Sequence, residues 1–193
     1  MASLDAIRAD FELRANRSLS LPIAGLLVWS VIAALGLALP PKQSVLALVW
    51  GTGAIFPVAL LIARIRCEEL IFNKNQLAGL MGACVLMANL LWALHIPLLV
   101  NAPRFVPLSV GMGLGLHWVV YSWIVRHPVG YIHAVTRTLG LLCAWVLVPT
   151  NPVTACALVI CAVYGLSLYL MASREIPAIS DADREVAMSV SCQ

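Results

Sequence analysis

Six long apolar runs separated by short polar breaks are the strongest constraint on what this chain can fold into. They cover Leu21–Leu39, Val45–Ile65, Leu77–Val100, Phe105–Ile124, Tyr131–Val148 and Val153–Met171. A membrane-spanning helix needs about 20 predominantly apolar residues. Hydrocarbon offers the backbone no hydrogen-bond partners, so a spanning helix satisfies its own N–H and C=O groups. The predicted fold is therefore all-α, a polytopic transmembrane bundle of six spans.

The breaks support this division. Pro40-Pro41 ends the first run, and the charged stretch from Arg64 to Lys74 separates the second from the third. Asn101-Ala102-Pro103-Arg104, Arg126-His127-Pro128 and Pro149-Thr150-Asn151-Pro152 end the next three. Composition excludes the alternatives. Of 193 residues, 62% are hydrophobic and 11% charged, against about 45–50% and about 25% in soluble domains. The formal charge is only +3, with no basic run interleaved with aromatics, so nucleic acid is not an expected partner. The lipid bilayer is.

Cys67, Cys84, Cys143, Cys156, Cys161 and Cys192 contain no C-x-x-C spacing. Those inside the apolar runs read as buried free thiols.

Short loops force neighbouring spans to run antiparallel. Arg8, Arg14, Arg17, Arg64, Arg66, Lys74, Arg126, Arg174 and Arg184 then fall on one side, and Lys42 and Arg104 on the other. Positive charge stays on the cytoplasmic side, so both termini are predicted to be cytoplasmic. Gly36-Leu37-Ala38 resembles a signal-peptide cleavage site. The preceding apolar run exceeds the usual length, and Asp5, Asp10 and Glu12 lie upstream, so the first span reads as retained. Residues 1–18 read as either an amphipathic surface helix or a frayed end. Leu4, Ile7 and Phe11 recur at helical spacing, and Asp5/Arg8, Arg8/Glu12 and Asp10/Arg14 can pair. Residues 19–172 form the transmembrane domain and 173–193 a polar cytoplasmic tail. No inverted repeat of the kind found in many transporters is visible.

Polar residues are costly in a bilayer and usually face the bundle interior. Arg137 lies about two turns inside the fifth span and cannot shed its charge. His133 precedes it by one turn on the same face. His117 and Tyr121 form a second pair on the fourth span. In a short-looped hairpin, residues at equal depth have a constant position sum, and positions 117 and 137 share theirs with 121 and 133. Two polar layers are expected if these faces meet. Glu68 and Glu69 follow the second span and sit at the cytoplasmic rim, within reach of a pairing with Arg137 or His133. The candidate ligand-binding set is His117, Tyr121, His133, Arg137, Glu68 and Glu69. No metal site, cofactor or catalytic residue is assigned.

Other polar positions have plainer readings. Asn89 suits an interhelical hydrogen bond. His95, near Trp92 and Pro97, reads as interfacial, and His127 as solvated. Gly111, Gly113 and Gly115 lack the preceding strand of a phosphate loop. Gly111 and Gly115 form G-x-x-x-G, and Gly79 and Ala83 are similarly spaced, so close helix packing or a homo-oligomer through Gly111 and Gly115 is expected. Pro57 and Pro107 are expected to kink their helices.

The run His117-Trp118-Val119-Val120-Tyr121-Ser122-Trp123, followed by His127-Pro128-Val129-Gly130, resembles a family of small six-span bacterial integral membrane proteins of unknown function. The resemblance implies a multi-pass protein of the inner membrane and no activity. Three function classes fit the residues. One is binding or transport of a small polar or anionic ligand through a cytoplasmic-half pocket. Another is an intramembrane enzyme acting on a lipid or isoprenoid through His/Glu acid–base or metal chemistry. The last is a structural or partner subunit with no ligand.

Overall fold

A computed structural model describes residues 3–70 and 73–174. Arg184 and the tail beyond Arg174 lie outside the described residues. Those described are helical, with no strand among them. The helices are α1 (Leu4–Ala15), α2 (Ser20–Ala38), α3 (Pro41–Gly53), α4 (Ile55–Arg66), α5 (Gln76–Leu90), α6 (Trp92–Asn101), α7 (Val106–Gly113), α8 (Trp118–Val125), α9 (Val129–Leu147) and α10 (Pro152–Ser173). They compose six stretches long and apolar enough to cross a membrane. α3 with α4, α5 with α6, and α7 with α8 each make one broken span, whereas α2, α9 and α10 are unbroken.

α10 occupies the centre, packed on α2, α9 and α7. α2 in turn carries α3 and α4. α5 and α6 lie at the periphery, touching α1, α8 and α7. The core between them is filled by Trp29, Ile32, Leu48, Val110, Leu141 and Ile160, all at most 1% exposed. The outward faces are apolar as well, with Leu37, Ile65, Met87, Val100, Val146 and Tyr169 uncovered. A surface of that kind is stable against lipid tails and not against water.

The breaks have local causes. Pro57 has no N–H for the preceding turn, and the chain turns at Ala54, whose N–H bonds Gly51 O at 2.9 Å. Pro107 does not kink its helix as the sequence suggested. It sits in the first turn of α7, where its missing N–H has no intrahelical partner to lose. The α7–α8 break falls at Leu114–His117, where i to i−3 bonds replace the α-helical pattern, as in Gly115 N to Met112 O at 2.8 Å. Gly111 O, which a continuous helix would offer to Gly115 N, instead accepts from Arg137 Nε at 2.7 Å. Glycines make this stretch a weak helix, and a guanidinium takes the freed carbonyl.

α1 is a docked helix. Ser3 caps it by accepting from Ala6 N, and Phe11, Glu12 and Ala15 are buried. Asn16, Arg17 and Ser18 all have positive φ (39°, 68° and 54°), an unfavourable run for L-residues. Contacts on both sides hold it. Asn16 Nδ2 donates to Arg66 O at 2.8 Å. Arg17 Nη1 donates to Ala172 O at 2.7 Å and Arg174 O at 2.9 Å, closing the carbonyl end of α10.

Candidate functional site

A cavity of about 380 Å³ opens between α1, α2, α4, α5, α8 and α10. Its walls are mainly apolar, from Phe11, Leu21, Phe56, Met81 and Val85, and its polar groups are Glu68, Glu69, Asn73, His117 and Tyr121. α5 forms one wall only loosely, since the α5–α6 span buries just 11% of its most apolar window. Gly82 lines this wall, and a Cβ built there meets no atom within 4 Å.

The polar groups of the cavity differ in how far they are already engaged. Glu68 accepts from Leu19 N at 3.2 Å and Ser20 N at 3.0 Å, so it caps the start of α2 from a distant part of the chain. It also receives Arg66 Nε at 2.6 Å. Glu69 pairs with Arg14 at 3.1 Å. Asp10, and after it Glu69, hold the Arg14 guanidinium further above its ordinary value by hydrogen bonding. The Tyr121 hydroxyl donates to Arg17 O at 3.4 Å and accepts from Arg174 Nη2 at 3.3 Å. His117 differs: its Nδ1 is buried with no hydrogen-bond partner.

Behind Trp118 lies a second polar cluster. Arg137 and His133 are both 0% exposed. Arg137 Nη1 lies 3.3 Å from His133 Nε2. Arginine has no acceptor, so Nε2 must accept and Nδ1 carries the proton. That N–H faces Ser167 Oγ at 2.8 Å, and Ser167 donates onward to Val163 O at 2.8 Å. The His133 and Ser167 donors each meet an acceptor, whereas Arg137 Nη2 is buried with no hydrogen-bond partner. Ser167→Ala is expected to leave the His133 N–H unpaired and lower stability by about 1–3 kcal/mol, read as chemical unfolding in detergent. An unchanged midpoint would contradict the assigned tautomer.

No carboxylate pairs with Arg137 among the described residues. Aromatic faces stand in for one. Its guanidinium lies 5.4 Å from the Tyr164 ring centre and 5.8 Å from that of Trp29, an arrangement that is favourable when desolvated. Trp118 stacks on His133 at 3.8 Å with 6° between the planes. A Cβ at Gly115 would lie 2.8 Å from Arg137 Cδ, so glycine lets the arginine lie flat there.

The structure thus divides the six sequence-derived site residues. His117, Tyr121, Glu68 and Glu69 line the cavity, whereas His133 and Arg137 sit apart from it behind Trp118. Tyr121 does not face His133, because Trp118 fills that place and Tyr121 turns to Arg174. Neither glutamate reaches Arg137 or His133. The homo-oligomer contact expected through Gly111 and Gly115 is corrected: both glycines are buried within the chain, Gly111 against Leu141 and Ile160, and Gly115 against Arg137. Their small faces are spent on α9 and α10. Asn89 is exposed and bonds its own helix at Val85 O. His95 is 2% exposed.

Sequence reasoning missed Glu12 and Arg174. Their side chains are 6% and 3% exposed, and they form a two-pronged ion pair at 2.5 and 2.6 Å that ties α1 to the end of α10. Lying 162 residues apart, they carry no local signal of their pairing. Among the described residues no three His, Cys, Asp or Glu side chains come together as a metal-binding group.

Fold and site together define a six-span, all-helical membrane-type protein with a laterally placed, mainly apolar cavity. A family model described as a family of unknown function, DUF7010, matches residues 4–174, and the chain belongs to that family. The matched stretch begins at the first residue of α1 and ends at Arg174, so it includes both partners of the Glu12–Arg174 pair. Neither the curated proteins nor the solved structures give a match.

Proposed function

We propose that this protein binds an amphipathic small molecule in the cavity between α5 and the α2/α8 wall. The observation that carries the reading is the cavity itself: about 380 Å³, walled mainly by apolar side chains, with a few polar groups. Ligand pockets of about 300–1,000 Å³ have this composition. The sequence suggested a small polar or anionic ligand. The apolar walls favour a molecule with a larger hydrophobic body and one hydrogen-bonding group, which meets His117.

In this reading His117 is the recognition residue, because its neighbours Tyr121, Glu68 and Glu69 are already bonded within the protein. His133 and Arg137 back the site by holding Trp118 in place. The basic end of the bundle faces the cytoplasm, in keeping with the distribution of Arg and Lys. Residues 3–174 act as one unit, with α1 part of the cavity wall. Trp29, Ile32, Leu48 and Leu141 fill the interior beyond, which favours binding over conduction.

Gly82→Phe tests the reading. The side chain enters space that is empty in the wild type, so the bundle stays folded and the cavity is filled. Native mass spectrometry of the detergent-purified protein is expected to show a retained amphipathic molecule. In Gly82→Phe it should be at least about tenfold less abundant, the equivalent of losing about 1.4 kcal/mol. His117→Leu is expected to weaken retention while keeping the fold. A wild-type protein that carries no such molecule, and takes up none from short-chain lipids or isoprenoid alcohols, would sink the proposal.

A further inference from the structure

A different region, at the α8–α9 turn, has the chemistry of an anion site. We infer that Arg8, Arg126 and His127 form a site for a phosphate-bearing anion at the membrane interface, which Asp5 occupies when no such anion is bound. A shallow cleft of about 470 Å³ is lined by Arg8, Ser122, Trp123, Arg126, His127 and Tyr131, with Pro128. It shares no lining residue with the proposed ligand cavity, although both draw on α1 and α8.

Four observations build the site. First, a single carboxylate oxygen, Asp5 Oδ1, lies 2.8 Å from Arg126 Nη2 and 3.7 Å from Arg8 Nη1. The two guanidiniums are therefore spaced to share one oxyanion, and a carboxylate already stands where a phosphate oxygen would. Second, Arg8 is held in place. Its guanidinium lies 4.7 Å from the Trp123 ring centre, and Nη2 donates to Trp123 O at 3.2 Å. Its Nε is buried without a partner. Third, His127 Nδ1 accepts from Val129 N at 3.2 Å. The proton of a neutral ring must then sit on Nε2, which adds a donor at the cleft. Fourth, Trp123 and Tyr131 are 48% and 47% exposed beside these groups, as aromatic side chains are at headgroup level.

Charge decides the class of ligand. Two arginines against Asp5 leave the cleft net positive. Arg126 (62%) and Asp5 (69%) have exposed side chains, so their pair is weak and exchangeable. A phosphate oxyanion offers more acceptor oxygens than a carboxylate and suits arginine's fork of donors. Two sources carry that group, an anionic lipid headgroup and free phosphate.

The test uses the full chain in detergent and in the Gly82→Phe background, so that occupancy of the larger cavity does not confuse the reading. Short-chain phosphatidylglycerol, phosphatidylcholine of the same chain length, and inorganic phosphate are titrated, with bound adducts read by native mass spectrometry. Phosphatidylglycerol is expected to bind more tightly than phosphatidylcholine. Arg126→Gln should weaken it about tenfold, the loss of one charge-assisted contact. Asp5→Asn should strengthen it by removing the internal competitor. Equal binding of inorganic phosphate, with the same response to both variants, assigns the site to free phosphate. Equal binding of both lipids, no binding of any probe, or an Arg126→Gln protein that binds like the wild type overturns the inference.

Discussion

Gly130→Ala is expected to destabilise the bundle by at least about 3 kcal/mol, at the upper end for overpacking. Gly130 sits in the first turn of α9, where α8 and α9 leave no space between their backbones. A Cβ there would overlap the carbonyl oxygen of Trp118, and its next neighbour is the Trp118 carbonyl carbon. These are backbone atoms inside α8, and they cannot rotate aside as a side chain can. Moving α9 away would also break Gly130 N to Ser122 Oγ at 2.7 Å and Tyr131 N to Ser122 Oγ at 3.0 Å, which satisfy the start of α9. The displacement would carry His133 off Trp118. The measurement is denaturant unfolding in detergent, with the yield of folded protein as a second readout. Gly165→Ala is the control. It lies within α10, its Cβ would meet nothing within 4 Å, and removing a helical glycine is expected to add about 0.5–1 kcal/mol. If the two substitutions have equal effects, the close approach of α8 and α9 is wrong.

The second large effect is at Glu12. Glu12→Ala is expected to cost about 3–5 kcal/mol, because it leaves Arg174 charged, buried and unpaired. Both Arg174 Nη atoms contact the Glu12 carboxylate, and Tyr121 supplies only one weaker contact at 3.3 Å. The double variant Glu12→Leu/Arg174→Leu should recover most of the loss, since two apolar side chains leave no buried charge. A thermal-melting comparison of the single and double variants decides it. If the single variant is neutral, the pair is exposed in solution and α1 is not fastened to α10. Loss of this tie also opens the wall of the proposed cavity at Phe11 and Ala15, so ligand retention should fall in the single variant and return in the double.

Not all of the site could be read from the residues alone. Arg137 and His133 were visible because a charged or titratable group inside an apolar run is expensive wherever the helix points. Their spacing by one turn also placed them in contact along α9, as Arg137 Nη1 to His133 Nε2 confirms. The rest of their environment was hidden. Equal depth suggested Tyr121 opposite His133, yet the ring that stacks on His133 belongs to Trp118. Helix rotation about its own axis decides which side chain faces inward, and depth says nothing about rotation. Glu68 was legible as a charge at the end of a span. Its role in capping α2 was not, because the capped amides at Leu19 and Ser20 lie 49 and 48 residues away in the chain. The break between α7 and α8 was obscured for a related reason. Three glycines weaken the helix there, but the span opens where a guanidinium from α9 takes Gly111 O.

The sequence by itself determined the number of spans, their approximate limits, the helical class and the concentration of basic residues at one end. These follow from length, apolarity and backbone self-satisfaction in hydrocarbon, which are properties of each segment taken alone. Only the tertiary structure decided which faces meet. It put Gly111 and Gly115 inside the bundle, Arg137 among aromatic rings instead of carboxylates, and Glu12 against Arg174. It also left His117 without a partner at a cavity wall. Each of those outcomes depends on the rotation and proximity of helices distant in sequence, and the outward faces here are apolar like much of the core, so hydrophobic patterning along one helix records little of them.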